Sequence, residues 1–247
     1  MNKKILYIGL GVVIIGVGLY LIFANKRVYS LFHLTTNPNT SLNYIIGNPR
    51  VAQSVHYAAL GDSLTAGVGV DKIEKSYPYL LSEKIVDKKT KIRLLNLGQP
   101  GATSADVLNQ QIVPLTSFDP DLITLCIGTN DMHTRVSMSD FKNNYNKILD
   151  ELAKYKKAKI ILANLPYLGT DDLILPPMRW YFNNGIQKYN AVIAEIATER
   201  KLTLIDLYDK TREPFKSNQT KMYSVDKYHP SGDGYALWAD LIYAGYR

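Results

Sequence analysis

A single cysteine, Cys126, stands in a chain of 247 residues. An internal disulfide is therefore excluded, and an exported domain of this sequence would have to stand on its hydrophobic core alone. Cys126 itself sits in an apolar run and reads as a small buried hydrophobe, not a reactive thiol. Histidine is scarce too, with 4 copies, and none lies at the tight spacing of a ligand set, so neither a metal nor a cofactor is expected. Concentrated positive charge is also missing. The net charge is +7, but Lys3, Lys4, Lys26 and Arg27 flank one segment, and setting these 4 aside from 29 leaves 25 basic against 22 acidic residues. Without a dense basic patch or a readable motif, nucleic acid is not an expected partner. No internal repeat or low-complexity tract is present.

Charge is absent altogether from residues 5–24. At about 1.5 Å rise per residue, a helix of that length crosses the roughly 30 Å hydrocarbon core of a bilayer. The run is longer than the apolar core of most signal peptides, and Ile22 removes the small-x-small pattern before Asn25. An uncleaved membrane anchor is expected, with a cleaved signal as the alternative. The basic flanks nearly cancel in the positive-inside rule. A short basic tail before a single span resembles a signal-anchor, which places the C-terminal domain outside the cell. The chain divides accordingly into an anchor with its flanks (1–27), a juxtamembrane connector (28–54) and a folded domain (55–247). The connector holds Asn37-Pro38-Asn39 and Gly47-Asn48-Pro49, and its apolar cluster of Leu42, Tyr44, Ile45 and Ile46 is expected to pack on the domain.

From residue 55 onward short apolar runs alternate with helical patterns, the mark of repeated βα units around a parallel sheet. Strands are predicted over 55–60, 92–97, 122–127, 160–164 and 202–207. Ser76 is placed to cap a helix reaching Asp87, and Ser231 to cap the last helix. Apolar stripes at Phe141, Tyr145, Ile148, Leu149 and Leu152, and at Ile186, Tyr189, Val192, Ile193 and Ile196, mark two more helices. The resulting fold class is α/β, a three-layer α/β/α sandwich over a five-stranded parallel sheet, preceded by one N-terminal transmembrane helix.

Four segments at the strand ends carry chemistry. Gly61-Asp62-Ser63-Leu64-Thr65-Ala66-Gly67 follows the first strand and presents Ser63 at the edge where open parallel sheets bind ligands. On its own such a turn is an ordinary loop. After the second strand, Gly98 and Gly101 leave backbone N–H groups free to face a ligand, and Thr103 or Ser104 begins a helix. After the third, Gly128-Thr129-Asn130-Asp131 supplies the Asn130 amide as a donor. Beyond the fifth, Asp226-Lys227-Tyr228-His229-Pro230 sets a carboxylate three residues before a histidine, a spacing at which it holds one ring nitrogen and leaves the other as a base. Asp62 and Asp131 are read as loop-fixing residues. His33 and His56 are read as structural, and His133 as a possible pocket residue beside Asn130.

Together these four blocks resemble the SGNH hydrolase family, the GDSL-type lipases and esterases, over nearly all of 55–247. The resemblance implies a flavodoxin-like sheet of order 2-1-3-4-5 and assigns the nucleophile to Ser63, the base to His229 and its orienting acid to Asp226. It implies an oxyanion hole from Ser63, Gly101 and Asn130. The implied activity is serine ester hydrolysis through an acyl-enzyme. Residues 165–184, rich in aromatic and aliphatic side chains, either line an acyl pocket or pack in the core, with Trp180 to Phe182 the residues in question. Acyl-lipid, lysophospholipid and thioester substrates lead on this reading. A carbohydrate O-acetyl esterase of the cell wall, transfer to an acceptor other than water, and a non-catalytic binding domain of the same fold are the alternatives.

Overall fold

The computed structural model describes residues 3–247. Its sheet has six strands: β1 (Asn43–Ile46), β2 (Gln53–Gly61), β3 (Thr90–Asn96), β4 (Leu122–Cys126), β5 (Lys159–Ala163) and β6 (Thr203–Ile205). The order is β1-β3-β2-β4-β5-β6, with β1 antiparallel to β3 and every other pair parallel. The five parallel strands thus follow the order 2-1-3-4-5. Central β4 is buried along its whole length, as a strand covered by helices on both faces must be.

The sequence reading missed the sixth strand. Residues 43–46 were expected only to pack on the domain, because four residues are too few to display an alternation. In the fold Ile46 is buried, Tyr44 half-buried and Ile45 exposed, a pattern set by pairing along the edge of β3. The connector is therefore part of the sheet, and an antiparallel edge strand closes a side that the parallel strands would leave unpaired.

Helix Tyr77–Ile85 packs with the last helix, Gly232–Tyr246, in one outer layer. In the other, helix Met138–Leu152 packs with Met178–Glu199, and both apolar stripes face inward. Ser231 caps the last helix by accepting from the Gly234 N–H. Ser76 occupies the expected N-cap position, but its hydroxyl donates to the Ile73 carbonyl instead. The N-terminal helix, Lys3–Tyr29, is apolar and outward-facing over most of its length, whereas Ala24 and Val28 are fully buried where its end meets the domain. Length and composition suit it to cross a membrane.

The turn after β2 is held from three sides. Gln111 forms a two-bond clamp on Gly61, accepting from its N–H at 2.9 Å and donating to its carbonyl at 2.8 Å. Asn96 donates to the Thr65 carbonyl. Asp62 caps the helical turn Ser63–Ala66 by accepting from Leu64 N–H. Asp62 is buried and its second carboxylate oxygen has no partner among the described residues. Burial pushes its pKa up to about 7, the Leu64 N–H opposing and the nearby Asp131 charge reinforcing the rise.

That shift has a definite sign for stability. A carboxyl bound more tightly by protons in the folded state than in the unfolded chain favours folding fully below the unfolded value of about 4 and loses that contribution as pH rises toward about 7. Asp62→Asn keeps the acceptor for Leu64 and removes the titration. Its stability relative to wild type should rise between pH 4 and pH 7.5 by an amount on the order of a few kcal/mol, measured by urea denaturation at both pH values. A difference between the two proteins that does not change with pH would refute this.

Candidate active site

Ser63 enters the site as the first residue of a helical turn at the carboxyl end of β2, half-buried, with its hydroxyl 3.0 Å from His229 Nε2. His229 Nδ1 lies 2.6 Å from Asp226 Oδ2. The loop carrying both residues is closed by the Ser224 N–H donating to the His229 carbonyl and the Lys227 N–H donating to Ser224. Lys227 takes a left-handed conformation, φ 60°, to make that turn. Gly69 lets the neighbouring chain approach: a Cβ there would stand 2.4 Å from the Pro230 carbonyl oxygen and 2.9 Å from His229 Cβ.

Asp226 is fully buried and heavily hydrogen-bonded. Its Oδ1 accepts from Ser224 Oγ at 2.6 Å and from the N–H groups of Tyr228 and His229 at 2.9 Å each. Its Oδ2 accepts from His229 and from Thr35 Oγ1 at 2.8 Å. Burial alone would raise the carboxyl's pKa. The hydrogen bond and charge of His229, with the Ser224 and Tyr228 donors, outweigh it and hold Asp226 well below the usual carboxylate range. An ionised Asp226 only accepts, so the hydrogen-bond network assigns the ring proton to Nδ1 and leaves Nε2 as an acceptor toward the Ser63 hydroxyl.

Ser63 and His229 open onto a cavity of about 410 Å³ that Gly101 and Asn130 also line. Gly101 has φ 84° and open space where a Cβ would be. The Asn130 amide donates one proton to the Ala102 carbonyl at 2.9 Å and has a second to offer. All five sequence-predicted site residues are thus gathered at one edge of the sheet. Asp131 turns away, accepting from the Ser104 N–H at 2.9 Å and its hydroxyl at 2.5 Å, which pins the second glycine-bearing loop to the fourth strand. Thr103 forms a capping box with Asp106 there. His133 lines the cavity, with Nε2 3.0 Å from the Tyr228 hydroxyl, and burial together with the His229 charge pulls its pKa down to about 4. It stands neutral at pH 7. His56 is anchored through Nδ1, 2.9 Å from the Phe118 carbonyl oxygen.

Residues 165–184 do not line this cavity. Leu165, Tyr167, Leu168, Leu173, Ile174 and Phe182 are in the core, while Trp180 and Tyr181 are 71% and 51% exposed. The apolar wall comes from elsewhere. Phe32 and Val68 contribute to it, and with Thr35 and Gln111 they were missed by sequence reasoning. Gln111 and Thr35 carry no local signal, since each acts on a residue far away in the chain.

Comparison with known proteins matches residues 59–237 to the model of the GDSL-like Lipase/Acylhydrolase family. The GDSL-like esterase Rv1075c of Mycobacterium tuberculosis is 26% identical over 198 residues, covering 78% of this chain; the chain spans 62% of that relative's length. The spore germination lipase LipC of Bacillus licheniformis is 25% identical over 217 residues, covering 78% of this chain and 97% of that one. The crystal structure of a lipase/acylhydrolase from Enterococcus faecalis superposes with a TM-score of 0.60 at 24% identity, over 77% of this chain and 94% of that chain, and shows the same fold. With the family model covering well over half of its length, the chain belongs to the GDSL-like lipase/acylhydrolase family and is a carboxylic ester hydrolase.

Proposed function

We propose that the chain is a membrane-anchored serine esterase whose acyl-enzyme forms on Ser63, with a substrate that carries an acyl chain. The relay from Ser63 through His229 to the buried Asp226 carboxylate carries this reading. His229 Nε2 takes the Ser63 proton as the oxygen attacks the ester carbonyl, and Asp226 stabilises the imidazolium that forms. The Ser63 N–H, Gly101 N–H and Asn130 amide receive the developing oxyanion, a role in which one donor typically contributes about 2.7–4 kcal/mol to lowering the barrier. The imidazolium then protonates the leaving alcohol. Water then attacks the acyl carbon as it gives a proton to His229, and the imidazolium returns that proton to Ser63 Oγ as the acyl–Oγ bond breaks and the acid leaves.

Ser63→Ala removes the nucleophile without disturbing the core. It should keep the wild-type melting temperature, lose ester turnover, and no longer be labelled by a fluorophosphonate probe. A well-folded variant that still hydrolyses esters would sink the proposal.

An acyl chain as the substrate's distinguishing part is supported by the apolar wall of the cavity, to which Phe32, Val68 and Pro100 contribute in the space that Ser63 also lines. Turnover of p-nitrophenyl esters from acetyl to long-chain acyl groups should peak beyond acetyl. A sharp optimum at acetyl would favour a carbohydrate O-acetyl substrate instead.

Anchoring is supported by the outward-facing apolar surface of helix Lys3–Tyr29 and by the exposed Trp180 and Tyr181 near its end. The Tyr20 hydroxyl donates to the Pro176 carbonyl, which brings the start of helix Met178–Glu199 beside the span, where interfacial aromatic residues are favoured. The full chain should sediment with membranes, resist extraction by high salt, and be digested by protease added to intact cells. Protection of the domain until cells are opened would reverse the topology, and a soluble form beginning near Asn25 would identify a cleaved signal.

A further inference from the structure

The stretch between the N-terminal helix and β1 turns back over the catalytic edge. Phe32 lies 5.0 Å from the Tyr228 ring and 5.5 Å from the His229 ring, centroid to centroid. Thr35 donates to Asp226 Oδ2 at 2.8 Å. Phe32, Thr35, Thr36 and Asn37 all border the cavity of Ser63. These residues precede position 59, where the family match begins, so the shared catalytic unit does not account for them. We propose that residues 32–37 are a working part of this active site and that Thr35 is a positioning residue for the Asp226–His229 pair.

Thr35 donates to the carboxylate oxygen that faces the imidazole. Ser224 and the two N–H donors occupy Oδ1, whereas Oδ2 is the atom that accepts from the His229 ring N–H. Among the described residues Thr35 is the side chain that shares Oδ2 with His229. Its single hydroxyl proton has two acceptors in reach, Asp226 at 2.8 Å and the Phe32 carbonyl at 3.3 Å. The shorter contact to a charged acceptor is the stronger one. Donation by Thr35 therefore fixes the carboxylate's rotation against the ring and draws off part of the negative charge that Oδ2 presents to the imidazole. Phe32 packs against the imidazole with its ring tilted by 56°.

Removing the hydroxyl leaves Oδ2 to His229 alone. The carboxylate then stabilises the imidazolium more strongly, and a base that holds its proton to higher pH is available only at higher pH. The remaining titratable groups facing the pair are His133, from the turn after β4; Tyr228, beside His229; and Tyr235, on the last helix, with Asp62 beyond it.

The test rests on the triad reading above and is arranged to separate the two. In the full-length chain, kcat and KM for one soluble ester are measured across pH 5–9 for wild type, Ser63→Ala, Thr35→Val, Thr35→Ala and Thr35→Ser. Thr35→Val should move the acid limb of kcat/KM upward by about half a pH unit or more and lower kcat several-fold, with KM changed less than about twofold. Thr35→Ala, which removes the same hydroxyl with less bulk, should show the same displacement. Thr35→Ser, which restores the donor, should return the limb to its wild-type position. A folded, active Thr35→Val or Thr35→Ala protein with the wild-type pH profile overturns this inference and leaves the triad standing. Equal damage in Thr35→Ser and Thr35→Val also overturns it, since packing and not donation would then be responsible. Turnover that persists in Ser63→Ala overturns the triad and this inference with it.

Discussion

A carboxylate buried away from water must be supplied with donors, and the candidate active-site edge of this protein is arranged around doing so for Asp226. Donors arrive from its own loop, through Ser224, the Tyr228 and His229 N–H groups and the His229 ring, and from the far N-terminal side through Thr35. Each donor fixes a piece of backbone as well as a charge. The left-handed turn at Lys227 and the orientation of the imidazole belong to the loop that supplies those donors, and Gly69 lets the neighbouring chain approach that loop.

Asp62 and Asp131 show the converse. Both are buried, yet burial drives both upward, because Asp62 has one N–H donor and Asp131 the two groups of Ser104. The difference from Asp226 includes donor number and the histidine partner. Asp226 alone of the three faces an imidazole, and there the hydrogen bond and the charge reinforce each other. One buried acid thereby stays ionised beside the His229 ring, while Asp62 caps its own turn and Asp131 ties the loop at Ser104 to the turn after β4.

Much of this was legible in the sequence for a physical reason. A parallel sheet with helices on both faces forces its strands to be apolar runs and its ligand edge to be the loops that follow them, so the loops bearing Ser63, Gly101, Asn130 and the Asp226–His229 pair were legible by position, while the roles of those residues came from the resemblance of the four blocks to the SGNH hydrolases. Residues 165–184 were misleading in part. Their composition suited a pocket wall, but a long segment leaving β5 must first cover the end of the sheet, and Leu173, Ile174 and Phe182 are used for that. Gln111 and Thr35 were illegible. Gln111 clamps a backbone 50 positions away and Thr35 reaches a carboxylate 191 positions away, and no local pattern encodes a partner at that distance. The edge strand β1 was hidden because four residues cannot display a period.

The boundary drawn at residue 54 separates stretches of different composition that the fold then joins. The end of the N-terminal helix is seated on the domain through buried Ala24 and Val28, and the Arg27 guanidinium donates to the Asp172 carbonyl at 2.7 Å. The Asp172 carboxylate in turn pairs with Lys227, the left-handed residue of the catalytic loop, whose carbonyl accepts from the Thr170 N–H. A continuous set of polar contacts therefore runs from the helix end, through one short loop, to the residue between Asp226 and His229. The exposed ion pair in this set contributes little to global stability. Its consequence is geometric: the helix end, the segment from Phe32 to Asn37 and the Asp226 loop form one packed unit, so the orientation of the helix and the shape of the cavity are set together.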